Sequence, residues 1–257
     1  YGADIKILSK DEAIKIDPNI NSKIKCAAFC EMDGYVSANQ TGDAYSKALK
    51  ENNVDIVENF EVSKINNSND EYEITDTNGK KIHANKIVLA TGVYLEKILK
   101  LLEIKINIKC FPQQLIVTER MPELLKTVIT VANGKLSLKQ FENGTVLIGG
   151  GWPGKGNIET GYNETIPENL VGNMRLACHA IPNLKNSRVS RVWLGLEAET
   201  DDAMPIVGEL PNLKNAFIIG SIHSGYTSGP YIGKLLSDKI LGKDVDLSLF
   251  DIKRLIN

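Results

Sequence analysis

Two rhythms of apolar residues divide the chain. KIVLATG (residues 86–92) and NAFIIG (215–220) are continuous apolar runs ending in glycine-bearing turns, the form of parallel strands buried on both faces. Elsewhere the period is two. Residues 55–65 and 71–84 alternate as strands, with Asn78-Gly79 as a hairpin turn. PQQLIVTERMP, KLSLKQFENG and GTVLIGGGW read as strands of an antiparallel sheet with one open face.

The helical period appears in four places. SKDEAIKIDP (9–18) has Ser9 as N-cap, Glu12 three residues on, and Pro18 past the stop. A second helix begins near Thr41, with Ala44, Tyr45, Ala48 and Leu49 on one face. A third runs between Pro167 and Pro182. The fourth follows SIHSGYTSGP, with Pro230 in its first turn and Ile232, Leu235, Leu236 and Ile240 as its buried stripe. The order predicts a parallel-sheet domain interrupted by an antiparallel one, each built from discontinuous pieces. The expected borders are 1–32 and 101–190 for the antiparallel domain, 33–100 and 191–257 for the other.

Composition narrows the classes. Of 257 residues 24% are charged and the net charge is −2, which gives no electrostatic case for nucleic acid or an anionic membrane. Four cysteines without a C-x-x-C pair and three histidines argue against a disulfide framework or a metal site. They read as buried thiols of a reducing compartment, hence a cytoplasmic protein, with a peripheral inner-membrane position left open. No apolar run approaches the roughly 20 residues of a transmembrane span. YGADIKILSKDEA does not read as a signal peptide, and its abrupt start points to sequence upstream.

Three motifs compete for the chemistry. GGGWPGKG (149–156) satisfies G-x-G-x-x-G and nearly satisfies a P-loop, yet both require the last glycine to open a helix. Pro153 and Gly156 oppose one, so a mobile loop at a sheet edge is expected instead. His223 beside Ser224 suggests a nucleophile pair, but adjacent residues orient poorly and G-x-S-x-G is missing. The third reading treats 221–230 as a cofactor turn. Gly225 and Gly229 permit close backbone approach, and the helix N-terminus would favour negative charge on a bound ring. An ordinary hydroxyl-rich cap is the plain alternative.

EMDGYVSAN, KIVLATGVYL, PQQLIVTERMP, GTVLIGGGWP, RVWLGLEAETDDAMPIVG and IHSGYTSGPYIGKLL, in that order, resemble the FAD-dependent family of D-amino acid oxidase, glycine oxidase and sarcosine oxidase. VTER and HSG-x-T resemble most the flavoprotein subunits of opine oxidase, hydrogen cyanide synthase and proline dehydrogenase complexes. The resemblance implies an α/β fold (α+β overall): an interrupted FAD-binding Rossmann-like domain with an antiparallel-sheet substrate domain. It implies FAD as cofactor, a small amino acid or amine as substrate, and a second subunit of a heteromeric complex as a partner. The activity implied is hydride transfer from the substrate carbon to flavin N5. The family's first strand, glycine fingerprint and acidic ribose contact are expected ahead of Tyr1.

Residue by residue, the resemblance places Val62 at the adenine and Ala90, Thr91 and Gly92 at the FAD. It places Ser224, Gly225, Tyr226 and Thr227 at the flavin's N1 and O2 edge. Trp193 and Gly195 match W-x-G-L, and Thr200 and Asp202 match T-x-D. Catalytic roles are expected of His223, Tyr226 and Thr227, and substrate contacts of Gln114, Trp152 and His223. No metal is expected. Many relatives carry Arg after W-x-G-L, where this chain has Glu197. Arg120 and Lys139 are candidate carboxylate anchors, with solvated strand cations as the plain reading. A non-catalytic, partner-docking subunit stays open as the alternative.

Overall fold

The computed structural model describes residues 2–68, 71–132 and 134–256. The chain opens with β1 (Ile5–Ser9), α1 (Lys10–Ile16), β2 (Cys26–Cys30) and α2 (Ala38–Glu51). There follow β3 (Val62–Ser68), β4 (Glu71–Asp76), β5 (Lys81–Ala84), β6 (Ile87–Leu89) and α3 (Leu95–Lys100). The middle holds β7 (Lys109–Thr118), β8 (Ile129–Thr130), β9 (Ser137–Gln140), β10 (Val146–Gly149), β11 (Lys155–Asn157), β12 (Tyr162–Glu164) and α4 (Pro167–Ala180). The chain closes with β13 (Val189–Glu199), β14 (Ile206–Glu209), β15 (Ala216–Gly220) and α5 (Gly225–Ile240). Two compact units result, Tyr1–Ser37 with Phe111–Gly195 and Ala38–Cys110 with Leu196–Asn257. Of their three borders, one falls in the approach to α2, after Ser37, and two fall inside continuous strands, β7 and β13.

The first unit is built on a five-stranded sheet of order β13-β7-β10-β9-β8. Strand β10 runs antiparallel to both β7 and β9. Period two sorts its side chains. Ile116, Leu138, Val146 and Ile148 pack with Ala177, Ile181 and Leu184 from α4 and the turn after it. Gln113, Leu115, Val117, Lys139 and Leu147 stay half-buried on the other face. The capping box of α1 forms as expected: the Ser9 N–H donates to Glu12 Oε2 at 2.8 Å, and Ser9 Oγ caps the Glu12 N–H. Buried Asp17, just past that helix, accepts from the N–H groups of Lys126 (2.7 Å) and Thr127 (3.2 Å).

The second unit holds two three-stranded sheets. In β3-β4-β5 the hairpin turn forms where Asn78-Gly79 predicts it. Gly79 takes φ 84°, and Asp76 Oδ1 accepts the N–H groups of Asn78 and Lys80, both at 2.8 Å. In β14-β15-β6, β15 runs parallel to β6 and antiparallel to β14. The two apolar runs are thus neighbouring parallel strands. One expectation fails: Val88 is 45% exposed, because β6 is an edge strand with Ile87 and Leu89 turned into the core and Val88 to the opposite face. Ile232 and Leu236 of α5 are buried with Val207, Phe217 and Leu247, as its stripe predicts.

Two helix starts differ from expectation. Helix α2 begins at Ala38 rather than near Thr41, since Ala38 and Gln40 are good helix formers. Its apolar face is present but open, with Tyr45 and Leu49 both exposed. Helix α5 begins at Gly225, so Pro230 lies inside it rather than in its first turn. The proline lacks an N–H, which leaves the Tyr226 carbonyl without its intrahelical donor. No helix is long and apolar enough to cross a membrane among the described residues.

Candidate functional site

Strands β6 and β15 end side by side, and their carboxyl ends are where the chemistry-bearing turns begin. In open parallel sheets that edge is the usual ligand crevice. After β15, Gly220 packs closely on Leu95: a Cβ would stand 2.5 Å from Leu95 Cδ2, so a side chain there would require the buried leucine to move. The chain then reverses through two left-handed residues that are not glycine, Ser221 (φ 49°) and Ser224 (φ 58°). Such positions cost about 1–3 kcal/mol each and gather at functional sites. Ser221 is buried, yet its Oγ has no hydrogen-bond partner among the described residues. The same holds for Thr91 Oγ1, just past β6. Gly92 follows with φ 55° and opens a short 3-10 turn.

Ser224, Gly225, Tyr226 and Thr227 form the entry and first turn of α5. The Thr227 N–H donates to the Ser224 carbonyl at 2.9 Å. The earliest N–H groups of any helix have no intrahelical acceptor and carry its partial positive charge. A Cβ placed on Gly225 or Gly229 meets nothing within 4 Å. Tyr226 is exposed. His223 Nδ1 lies 2.8 Å from Glu197 Oε1, a contact between the turn and β13 that sequence reading did not foresee. Adjacent Ser224 is not its partner, which removes the nucleophile reading; Ser228 Oγ approaches the His223 carbonyl instead.

The other expected residues are spread out. Val62 starts β3 at a register irregularity, in the separate hairpin sheet. Trp193 and Gly195 alternate on one face of β13; Arg191 lies 5.2 Å from the Trp193 ring, and Gly195 faces open space. Thr200 and Asp202 build a clasp. Asp202 receives Arg254 Nε at 2.7 Å, Thr200 Oγ1 at 2.8 Å and the Met204 N–H at 3.1 Å. Arg254 also donates to the carbonyls of Met204 and Pro205. The guanidinium, with the hydroxyl and N–H, holds the Asp202 carboxyl far below the ordinary carboxylate range. Arg254 carried no sequence signal, standing about fifty residues from its partner.

In the first unit Gln114 and Trp152 come together: the Gln114 N–H donates to the Trp152 carbonyl at 2.9 Å. Both side chains already have structural partners. Gln114, fully buried, accepts the Ile166 N–H at 2.6 Å and donates back to its carbonyl at 3.4 Å. The Trp152 indole donates to the Lys135 carbonyl at 2.8 Å, and its ring lies on Gly172. The glycines of GGGWPGKG serve close approach: a Cβ on Gly150 would reach 2.4 Å from Leu136 N, and one on Gly154 2.4 Å from Leu194 Cδ2. Lys155–Asn157 is a strand, not the expected loop, and no helix opens there, so the phosphate cradle is excluded. Two open clefts of about 640 and 670 Å³ contain none of the expected site residues. No cluster of three metal-ligating side chains occurs among the described residues.

Comparison with known proteins supplies the family. The chain is 25% identical over 249 residues to hydrogen cyanide synthase subunit HcnC of Pseudomonas aeruginosa, covering 94% of this chain and 58% of that one. It is 23% identical to glycine oxidase of Geobacillus kaustophilus, covering 98% and 67%. The crystal structure of that glycine oxidase superposes with a TM-score of 0.87 at 22% identity, over all of this chain and 68% of the other. L-proline dehydrogenase from P. horikoshii also gives 0.87 at 22%, over 98% and 69%. These likenesses bear out the mixed helix-and-sheet fold, with antiparallel sheets and no closed barrel among the described residues. The chain spans a little over half the length of the first curated relative. The family model for FAD-dependent oxidoreductases (DAO) matches residues 1–239, and the chain belongs to that family.

Proposed function

We propose that this protein is an FAD-dependent amino acid or amine dehydrogenase or oxidase, oxidising the C–N bond of a small substrate such as glycine, sarcosine, proline or an opine. One observation carries the reading: two buried hydroxyls without partners, Thr91 Oγ1 and Ser221 Oγ, at the carboxyl ends of adjacent parallel strands. A buried hydroxyl left unpaired costs about 1–3 kcal/mol, and a ligand with polar edges would offset that cost. The helix entry at Gly225 and the open space before Gly225 and Gly229 fit a flat polar ring in the same way.

When bound, FAD supplies the acceptor for the hydride that leaves the substrate carbon, and the resulting imine is hydrolysed by water. The chain's own part is positioning and charge. The N–H groups of Gly225 and Tyr226, at the positive end of α5, stabilise negative charge on an adjoining ring edge. Ser224 and Thr227 add hydroxyls beside them. Glu197 Oε1, 2.8 Å from His223 Nδ1, orients the imidazole, and His223 Nε2 is proposed to take the proton of a substrate ammonium. An amine must lose that proton before it can give up hydride. Val62, Ala90, Thr91, Gly92, Trp193 and Gly195 are proposed as further cofactor contacts, and Gln114, Trp152 and His223 as substrate contacts.

A partner-docking role is the second reading, favoured by the exposed apolar residues of α2, and it accords with the subunit character of HcnC. The two are separated by anaerobic mixing of the FAD-loaded full-length protein with a panel of amino acids and secondary amines. Bleaching of the flavin band by one of them is expected. A band unchanged by the whole panel would leave the docking role.

A further inference from the structure

The carboxylate of Glu197 stands beside the turn that follows β15, and both belong to the second unit. Ala198, the next residue of β13, is buried in the core of that unit, which turns Glu197 and Glu199 to the opposite face. Glu197 Oε1 lies 2.8 Å from His223 Nδ1, and both side chains keep access to solvent. That contact uses one of the several lone-pair positions of the carboxylate. No lysine or arginine among the described residues pairs with Glu197 or Glu199. Lys109, whose ammonium Glu199 influences, is bound to Asp201 at 2.6 Å.

A carboxylate without a cationic partner discriminates among ligands. It attracts a second cation on a molecule bound at the turn and repels an anion in the same place. A hydrogen bond from a neutral imidazole leaves that charge in place. The contact also sets a length. His223 Nε2 is on the far side of the ring from Glu197. An amine hydrogen-bonded to Nε2 and a cation hydrogen-bonded to Glu197 would stand about 7.5 Å apart, one imidazole ring plus two hydrogen bonds. The α- and ε-nitrogens of an extended lysine are about that far apart.

We infer that Glu197 selects the substrate by charge, receiving a second cationic group, so that the preferred substrates are basic amino acids or diamines. The inference rests on the amine-oxidising reading for its meaning, but binding is measured apart from turnover. The test mixes FAD-loaded full-length protein anaerobically with lysine, norleucine and 2-aminoadipate. These amino acids share one length, and their side chains end in a cation, a methyl group and a carboxylate. Rapid mixing separates two readouts, the shift of the flavin band on binding and its bleaching on reduction. Lysine is expected to bind about fivefold or more tighter than norleucine, and 2-aminoadipate more weakly than either. Glu197→Gln keeps the shape and removes the charge, and should bring the three affinities within about twofold of one another, while Glu197→Asp should keep their order. A merely structural Glu197 would instead change all three alike. Wild type that binds lysine no better than norleucine, or shows no saturable shift with any of the three, would overturn the assignment. So would an undiminished preference for lysine in the Gln variant. If lysine binds as expected and the flavin is never bleached, the oxidation reading fails while selection by charge stands. If norleucine or 2-aminoadipate binds more tightly and bleaches the flavin, oxidation stands and the role of Glu197 falls.

Discussion

Ser221 concentrates two local costs in one residue: a left-handed backbone and a buried hydroxyl without a partner. Ser221→Gly removes both. It is expected to raise folding stability by about 0.5–1 kcal/mol, read as a higher denaturant midpoint. The same change should weaken FAD binding, because the hydroxyl is assigned to the cofactor. A fall in stability would show that the hydroxyl is engaged within the fold, and would remove the observation on which the flavin site rests. The turn itself was legible because glycines, hydroxyls and a following apolar stripe signal locally. Its strain was not: the sequence points to Gly225, whereas the positive φ angles fall on Ser221 and Ser224.

At the scale of elements, helix α4 and the β13–β14 connection each yield a test with a defined sign. A glycine inside a helix normally costs about 1 kcal/mol relative to alanine. Gly172 should behave oppositely, because a Cβ there stands 2.5 Å from the rigid Trp152 ring. Gly172→Ala is expected to destabilise by roughly 1–3 kcal/mol in urea unfolding. A stabilised variant would mean that Trp152 is free to leave α4. Asp202 gives a pH signature. Its folded pKa is depressed, chiefly by Arg254, so its stabilisation is full above the unfolded carboxylate value and is lost as pH falls through the folded one. Asp202→Asn should therefore lower stability at pH 7, and the gap to wild type should narrow on acidification below about pH 4. A pH-independent gap would leave packing, not charge, as the cause. Strands and caps were readable here because their signals lie within a few residues, as with Ser9 and Glu12. The Arg254 clasp and the Trp152–Gly172 contact join distant segments, and no local period encodes them.

At the scale of the molecule, two units built from interleaved segments share one chain, and two of its three crossings run through unbroken strands. The parallel pairing of β6 with β15 was expected from two distant apolar runs, and it fixes where their turns meet. FAD as the cofactor came from the family, not from periodicity, and its place at that edge is the proposal. The central claim is that the strand-to-helix turn after β15 contacts the flavin. Gly225→Val tests it most directly, since a side chain there meets no protein atom within 4 Å and valine is a somewhat better helix residue than glycine. FAD titration of the full-length protein, followed by flavin fluorescence, should give a dissociation constant about tenfold or more above wild type, with an unchanged thermal melt. Equal FAD affinity in the valine variant and the wild type would contradict the assignment of this turn to the flavin.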